Sequence, residues 1–508
     1  MKQTSSAAVE FSWKQFWVSL LYENLPPVIF SPFAALLVER SFARAWNVCQ
    51  NRNLLIAPSH NNPLYFVLFS WLITYPASWL ITCGLLIVVT FDTAPEGAID
   101  ELQMLFAYSL LFTRRLIIAV KYGYFSNDEY ASLAKPPGWD FEKSQRKLIA
   151  QGWSRPTEFN GLISYELEET IASQGVDLKA MQIERGDGKS LGLFSVARAI
   201  IHQAYAAPPP RWFNLLTFAS VLIIVGSLAY FRSINGIPFW SDGWQQNTVT
   251  LAIFGGVISS IGLMGFGLLC AHDFRRRVRA GELFHKALLP PGLEISMPEG
   301  GVERVFFDKH SPNCVNGWVQ SRNVVRGFGE RFYRRVQSYT SILIAYSVLC
   351  VGVLNFMMWT QVPHQSATAV TIAATVFVIS LIGSYAMYGA TRLQHSSYLQ
   401  RASLQRELLS LEVEIGVLSQ QGIGVLSQQG KSTNDLQRLG TAKTLLQQVD
   451  ENVNYEELVF RPTSILGYRA ESGLIGSVLG IVITGGLLVL QGFASMGITY
   501  NASGWFWP

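Results

Sequence analysis

Seven apolar runs of membrane-spanning length constrain this chain more than any other feature of its sequence. A helix needs about 20 apolar residues to cross the hydrocarbon core of a bilayer, where its backbone polar groups must be satisfied within the protein. Runs of this length predict seven transmembrane helices. They lie near 64–91, 103–122, 213–231, 249–271, 337–359, 368–390 and 474–495.

The composition agrees with this prediction. Charged residues make up 15% of the 508 residues, and hydrophobic residues make up 49%. A soluble domain typically has about 25% charged residues, so we expect an all-α polytopic membrane protein whose first partner is the lipid bilayer. The formal net charge of +4 is small, and no long basic run indicates a nucleic-acid partner.

The orientation follows from the distribution of basic residues between the loops. Loops 92–102 and 360–367 contain no lysine or arginine, and loop 232–248 contains only Arg232. By contrast, arginines cluster directly after the fourth run, before the fifth and after the sixth. The positive-inside rule then predicts a cytosolic N-terminus and, after seven crossings, an extracellular C-terminus. A seven-helix G-protein-coupled receptor has the opposite orientation, so the charges argue against that class.

The second apolar run is the weakest of the seven, because Arg114 and Arg115 interrupt it. Either the helix continues beyond the membrane and the arginines snorkel towards its surface, or they face a wet interior of the protein. Of these two alternatives, snorkelling is the favoured one.

The long cytosolic loop before the last run carries a helical pattern of its own. Its leucines and one isoleucine alternate at spacings of four and three, which is typical of a seam between associated helices. The association can occur within one chain or between copies, and the spacing leaves both alternatives open. The seam consists of Leu404, Leu408, Leu411, Ile415 and Leu418.

These runs and loops divide the chain into eight segments. In chain order they are cytosolic or interfacial N-terminal helices in 1–63, spans one and two in 64–122, a cytosolic loop in 123–212, spans three and four in 213–271, a second cytosolic loop in 272–336, spans five and six in 337–390, cytosolic anchor helices in 391–472, and the last span with a short external tail in 473–508.

The sequence carries no arrangement typical of catalysis. No nucleophile, acid–base pair or metal-ligand motif stands out, so we expect neither an enzyme nor a cofactor. His310 and Cys314 could in principle bind a metal, but two ligands without partners are more often structural, and we expect no metal site.

The last apolar run combines small and polar residues at helical spacing. Ser472, Gly476, Gly480 and Thr484 are four residues apart, so they share a helix face that another helix can approach closely. Gln491 lies seven residues after Thr484, and a glutamine facing lipid is costly, so it should face protein or water. Two interpretations follow: a well-packed final helix or a helix that lines a pore.

Several stretches resemble the insect odorant and gustatory receptor superfamily and the gustatory-receptor-like membrane proteins of plants and protists. The seven-residue spacing of Thr484 and Gln491 matches the signature of the superfamily's final helix, with Gly485 and Gly492 where the family has aromatic residues. Residues 390–395 (ATRLQH) are similar to the stretch that leaves span six in the plant and protist proteins. Residues 98–123, 326–359 and 466–481 are also similar to those proteins.

The resemblance implies a homotetramer whose seventh helices line a central pore, in a ligand-gated, non-selective cation channel of the plasma membrane. Pore-lining or gating positions would be Thr484, Leu487, Leu490 and Gln491, because a glutamine ring beside leucines can gate water and ions. Ser472, Gly476 and Gly480 would form the helix-contact face of this helix.

The resemblance also implies a small-molecule ligand pocket in the outer halves of the spans. Aromatic candidates for that pocket are Tyr75, Trp79, Tyr108 and Trp359, although aromatic residues at these depths more often belong to the core or to the interfacial belt. The alternative function is a non-conducting seven-helix scaffold or orphan sensor that shares the fold.

Overall fold

A computed structural model describes residues 11–24, 75–91, 101–125, most of 167–205, 211–234, most of 239–297, 301–359, 366–422, 429–456 and most of 462–491. The described part is mostly helical. In chain order its helices are α1 (Trp13–Asn24), α2 (Tyr75–Phe91), α3 (Glu101–Gly123), α4 (Leu193–Tyr205), α5 (Arg211–Ile234), α6 (Trp244–Ala287), α7 (Pro312–Gly327), α8 (Glu330–Trp359), α9 (Ser366–Gly422), α10 (Gln429–Tyr455) and α11 (Gly473–Gly485).

Among the described residues, four stretches of helix are long and apolar enough to cross a membrane. They are Gln103–Gly123, Asn247–Ala287, Glu330–Phe356 and Ile372–Gln420, which belong to α3, α6, α8 and α9. These helices support an integral membrane protein. The third apolar run coincides with α5, whereas α2 and α11 cover parts of the first and last runs, whose residues 64–74, 479, 482, 486, 488–490 and 492–495 lie outside the described part. Their membrane crossing stays a prediction, as does the orientation.

Two helices are longer than a bilayer requires. α6 has 44 residues and α9 has 57, whereas about 20 residues span the hydrocarbon core. Both continue from an apolar segment into a charged one without interruption. The segment boundaries predicted at 271 and 390 therefore fall inside continuous helices, because charged residues with good helix propensity propagate a helix that the apolar segment has already started.

The buried residues form two hydrophobic clusters. The membrane cluster joins α3, α5, α6, α8 and α9, and includes Met104, Leu263 and Ile382. The anchor cluster joins α4, α7 and α10 with the later parts of α6 and α9, and includes Trp318 and Leu446. We call the helices around the membrane cluster the membrane layer and the helices around the anchor cluster the anchor layer. Because α6 and α9 contribute to both clusters, continuous helices connect the two layers.

The predicted seam packs α9 against α10 of the same chain. Leu404 and Leu411 of α9 are buried in the anchor cluster together with Ala442 and Leu446 of α10. An ion pair of 3.1 Å between Arg401 Nε and Asp450 Oδ1 joins the same two helices. Of the two alternatives left open by the spacing, the structure therefore shows the intramolecular helix pair.

The fold also contains short strands that an all-α expectation omits. The described residues include three antiparallel strand pairs, formed by β1 (Gln182–Glu184) with β2 (Ser190–Gly192), β3 (Leu293–Ser296) with β4 (Val302–Val305), and β5 (Ser464–Ile465) with β6 (Tyr468–Arg469). Strands of two to four residues are too short for their alternation to be distinguished from loop sequence.

The last hairpin leads directly into α11. Its turn residues, Leu466 and Gly467, have φ angles of 55° and 80°, which is the backbone conformation of a tight two-residue hairpin turn. Leu466 N–H donates to Ser341 Oγ at 2.9 Å, so this hairpin is attached to α8.

Candidate functional site

The C-terminal helix α11 packs against the rest of the chain along one side only. Leu474, Ile475 and Val478 contact the membrane cluster. At the last residue of the helix, Gly485 lies so close to Val351 of α8 that a Cβ atom would collide with that side chain. Leu474, Ile475, Val478 and Gly485 share one helix face, so α11 is packed along most of its length.

The opposite side of α11, and of the helical residues after it, is exposed on the single chain. Gly476, Gly480, Thr484, Leu487 and Gln491 are all exposed, and Leu487 exposes 60% of its surface. At about 3.6 residues per turn these positions form one stripe, with the glycines at one level and the polar residues further along. Residues predicted for helix contact and residues predicted for the pore therefore lie on the same side of the helix, at different heights.

The assignments of these residues to contact and to a pore stay predictions. Ser472 and Leu490 belong to the predicted sets, but their structure lies outside the described residues. In the single chain, the buried positions of α11 include Val478 and Gly485, which sequence spacing did not select. The signal that could have identified them is the apolar face opposite the glycine stripe.

A polar side chain accompanies the contact of α8 with α11. Asn355 lies beside Gly485 and donates from Nδ2 to the Val351 carbonyl at 2.9 Å. Its Oδ1 atom is buried and has no hydrogen-bond partner among the described residues. A buried amide oxygen in a membrane helix is costly, so this contact is less stable than an apolar one of equal area.

A small cavity lies between α3, α5, α6 and α9, and we call it the membrane cavity. Its volume is about 20 Å³, which is room for roughly one water molecule. Its polar groups are Gln103, Ser260 and Thr375, and the rest of its lining is apolar. The apolar lining is formed by Phe106, Ala107, Leu110, Ile224, Ile253, Gly256 and Val257.

Of the aromatic residues predicted for a ligand pocket, the two whose side chains the structure describes, Trp79 and Tyr108, do not line the membrane cavity. Trp79 and Tyr108 are half-buried, and Tyr108 is the chain neighbour of the lining residue Ala107. The side chains of Tyr75 and Trp359 lie outside the described part of the chain. The aromatic candidates stay a prediction for a ligand pocket, and the signal that could have pointed to the membrane cavity is the polar residues Gln103 and Thr375 within apolar runs.

Arg114 and Arg115 of α3 are both buried by protein, with 7% and 4% of their surfaces exposed. Arg114 crosses α6 at Gly262, where a Cβ atom would lie 3.1 Å from the Arg114 Nε. The favoured expectation of snorkelling is therefore wrong for these two side chains. Gly262 provides the space that lets an arginine pass between two closely packed helices.

A second cavity lies in the anchor layer, and we call it the arginine cavity. It has a volume of about 60 Å³ and is lined by residues from α4, α6, α7, α8 and α9 and by Thr463 before β5. Arg277, Arg322 and Arg326 are part of the lining. Sequence reasoning did not identify this site, because its residues come from six separate segments of the chain.

In the part of the chain that the structure describes, no group of three or more histidine, cysteine, aspartate or glutamate side chains could hold a metal ion.

No protein-family model matches the chain, and no curated protein matches it either.

Proposed function

We propose that this chain is the subunit of a homotetrameric, ligand-gated, non-selective cation channel of the plasma membrane, with α11 lining the pore. In this arrangement the N-terminus is cytosolic and the C-terminus is extracellular. The stripe from Gly476 to Gln491 faces the axis of the tetramer, and the opposite face of α11 remains packed on α8.

The observation that carries the proposal is the exposure of this stripe on a single chain. Thr484 and Gln491 are exposed, although they lie in an apolar helix. A glutamine side chain exposed to lipid is costly, so a second protein surface or a wet lumen stabilises it. Four copies place four glutamines next to four Leu487 side chains, which combines a polar ring with a hydrophobic constriction.

The position of the membrane cavity supports the ligand-gated part of the proposal. Gln103, Ile253 and Thr375 come from three runs, and each lies within seven residues of the end that the charge-derived orientation places outside. The space between helices of a bundle is a common location for a ligand site, and at about 20 Å³ this cavity holds only a water molecule in the present arrangement. A ligand larger than water enters it only when the helices separate, so binding is coupled to movement of the helices.

The experiment is to reconstitute the full chain in planar bilayers and to measure conductance and permeability ratios for Na⁺, K⁺ and Cl⁻. Gln491→Leu should change the conductance or the selectivity, because it removes four polar groups from the ring. If the conductance and the selectivity stay unchanged, Gln491 does not line the pore.

Cysteine substitution distinguishes the pore from the lipid-facing surface. In Leu487→Cys, a charged thiosulfonate reagent should block the current, because the new thiol faces water. Leu215→Cys on α5 is the matched control, because Leu215 exposes 68% of its surface on a helix outside the stripe. Block of both variants, or of neither, contradicts the assignment of α11.

The second candidate function is a non-conducting membrane scaffold. It is favoured by Leu409, Val413 and Val417, which form an exposed apolar stripe on the anchor part of α9. Stable tetramers that pass no current with any ligand tried would favour the scaffold, whereas purified protein that stays monomeric contradicts the assembly itself.

A further inference from the structure

The arginine cavity lies where the anchor layer meets the membrane layer. On α6 its lining begins with Arg277, six residues after the fourth apolar run, and on α9 it begins with Leu393, three residues after the sixth. At about 1.5 Å per residue these positions are about 5–10 Å beyond the hydrocarbon core. That depth corresponds to the headgroup layer of the bilayer.

Two of its arginines are held rigidly by neighbouring groups. Arg277 Nε donates to Asp273 Oδ2 at 2.9 Å, and its two terminal nitrogens donate to the carbonyls of Phe328 and Gly329 at 3.2 and 3.0 Å. Arg277 also stacks on Tyr333, with Cζ 4.5 Å from the ring centroid. These contacts fix the guanidinium before any ligand arrives.

The second rigid arginine is Arg322 of α7. Its Nε donates to Gln400 Oε1 at 2.7 Å, and its Nη1 donates to Glu456 Oε2 at 3.3 Å. Gln400 in turn donates to the Gly281 carbonyl at 2.8 Å. Gly281 is required here, because a Cβ atom would lie 2.5 Å from Ser396 Oγ. The close approach of α6 and α9 at Gly281 keeps the cavity narrow.

The third arginine lies at the accessible side of the cavity. Arg326 is partly exposed and its Nη1 is 3.9 Å from Glu456 Oε2. Ser397 of α9 is half-buried and contributes a hydroxyl to the lining. These two side chains therefore connect the rigid part of the cavity with solvent, and they can change partner at a smaller cost than buried groups.

Arginine predominates among the charged residues of the lining. Of the described residues that line the cavity, three are arginines, Arg277, Arg322 and Arg326, and one is a carboxylate, Glu330. The carboxylates that pair with Arg277 and Arg322 lie outside the lining. The lining itself therefore carries more positive than negative charge in a partly desolvated space.

We propose that the arginine cavity binds a phosphate group. The volume of about 60 Å³ holds roughly four water molecules, which is close to the four oxygens of a phosphate. Guanidinium groups bind phosphate oxygens through paired donors, and the hydroxyl of Ser397 adds a neutral donor at the same site. The phosphate can come from an anionic lipid headgroup or from a soluble phosphate compound. The site does not depend on ion conduction by the chain.

The test uses the full chain in nanodiscs of phosphatidylcholine. Thermal unfolding is followed by tryptophan fluorescence while inorganic phosphate replaces chloride at constant ionic strength. Phosphate should raise the unfolding temperature with a saturable dependence on concentration, because it binds only the folded protein. If the unfolding temperature is the same in phosphate and in chloride at equal ionic strength, the proposal is overturned.

Two variants and one control locate the effect. Arg326→Gln should require about tenfold more phosphate for the half-maximal shift, since it removes one charge-assisted contact. Ser397→Asp places a carboxylate in the cavity, so it should raise the unfolding temperature without phosphate and abolish the phosphate response. Arg392→Gln removes an arginine of α9 that pairs with Glu282 outside the cavity, and it should respond like the unmodified chain. Equal phosphate responses of the Arg326→Gln and Arg392→Gln variants overturn the assignment.

The source of the phosphate is decided by a second set of nanodiscs that contain phosphatidylinositol bisphosphate. If the lipid headgroup occupies the site, these discs raise the unfolding temperature and remove the response to added phosphate. If soluble phosphate occupies it, the lipid has no effect and the phosphate response persists. Lipid stabilisation that Arg326→Gln leaves unchanged contradicts the site in either case.

Discussion

The membrane layer and the anchor layer satisfy their buried polar groups in different ways. In the membrane layer, most described hydroxyls donate to carbonyls one turn earlier in the same helix, as Ser259 does to Gly255 and Ser347 does to Leu343, and the bond of Ser109 with Tyr346 between α3 and α8 is an exception. In the anchor layer, charged side chains reach across helices, as Arg401 of α9 does to Asp450 of α10 at 3.1 Å. Membrane helices are therefore held to one another mainly by close packing, whereas anchor helices are fixed in register by directional contacts.

This difference assigns separate tasks to the two layers. Packing without directional bonds allows helices to shift by small amounts, because neighbouring rotamers can follow the movement. Ion pairs between helices lose most of their energy when one partner moves by a few ångströms. The anchor layer therefore sets the arrangement of the helices, and the membrane layer can change around it.

The largest expected effect comes from the Asp273–Arg277 pair at the junction, where only 3% and 7% of the two side chains is exposed. Asp273→Ala leaves Arg277 buried without its carboxylate and should reduce the free energy of unfolding by about 3–5 kcal/mol. Thermal or denaturant unfolding in detergent measures this loss. The control is Glu282→Gln, which breaks the exposed pair with Arg392 and should cost under about 1 kcal/mol. Equal losses would contradict the distinction between junction and surface.

The next largest effect is expected inside the anchor layer. Leu411 is completely buried between α9 and α10, so Leu411→Ala should reduce the free energy of unfolding by about 2–5 kcal/mol. Leu409 exposes 65% of its surface two residues earlier on the same helix, and Leu409→Ala should change stability by less than about 0.5 kcal/mol in the monomer. A large loss for Leu409→Ala would show that the exposed stripe is covered in the assembled protein.

A smaller effect is expected where α11 meets α8. Gly485→Ala introduces a methyl group against Val351 and should cost about 1–3 kcal/mol in the free energy of unfolding. Gly480→Ala is the matched control on the same helix, because a Cβ atom there contacts nothing within 4 Å. Limited proteolysis after residue 470 and unfolding in detergent both detect release of α11. Equal behaviour of the two variants would contradict the packed face described for this helix.

The smallest effect is expected for hydroxyls of the membrane layer. Ser347 is buried and donates to its own helix at 2.9 Å, so Ser347→Ala should change the free energy of unfolding by less than about 1 kcal/mol. Gln400→Ala in the anchor layer removes bonds to Arg322 and Gly281 and should cost more, because Arg322 is a buried cation. A larger loss for Ser347→Ala would reverse the comparison of the two layers.

The sequence was sufficient to predict the four described helices that are long and apolar enough to cross a membrane, because hydrophobic length is a local property. It also identified the seam of Leu404 and Leu411, whose spacing is visible within one helix. Local spacing alone did not show that α6 and α9 continue past their apolar segments, because the sequence of a charged helical segment resembles that of a separate exposed helix, although the family resemblance implies cytosolic extensions of helices four to seven. The arginine cavity could not be predicted, since its lining depends on how six separated segments pack.

The burial of Arg114 is a second case in which contacts between distant parts of the chain decide the structure. Its sequence context favours an arginine at a membrane surface, but the deciding residue is Gly262, which lies 148 positions later in the chain. A contact between residues so far apart leaves no periodic signal. The absence of a side chain at Gly262 gives Arg114 room in this interior position, because a Cβ atom there would be in tight contact with it.

The continuity of α9 has a mechanical consequence. This single helix touches both cavities, through Thr375 at the membrane cavity and through Ser397 and Gln400 at the arginine cavity. At about 1.5 Å per residue, these sites are roughly 33 Å apart on one stiff rod. A change of about 5° in its tilt moves one site by about 3 Å when the other is the pivot. By thermodynamic reciprocity, a ligand that tilts α9 at one cavity changes the affinity of the other by the same factor as the second ligand changes the first.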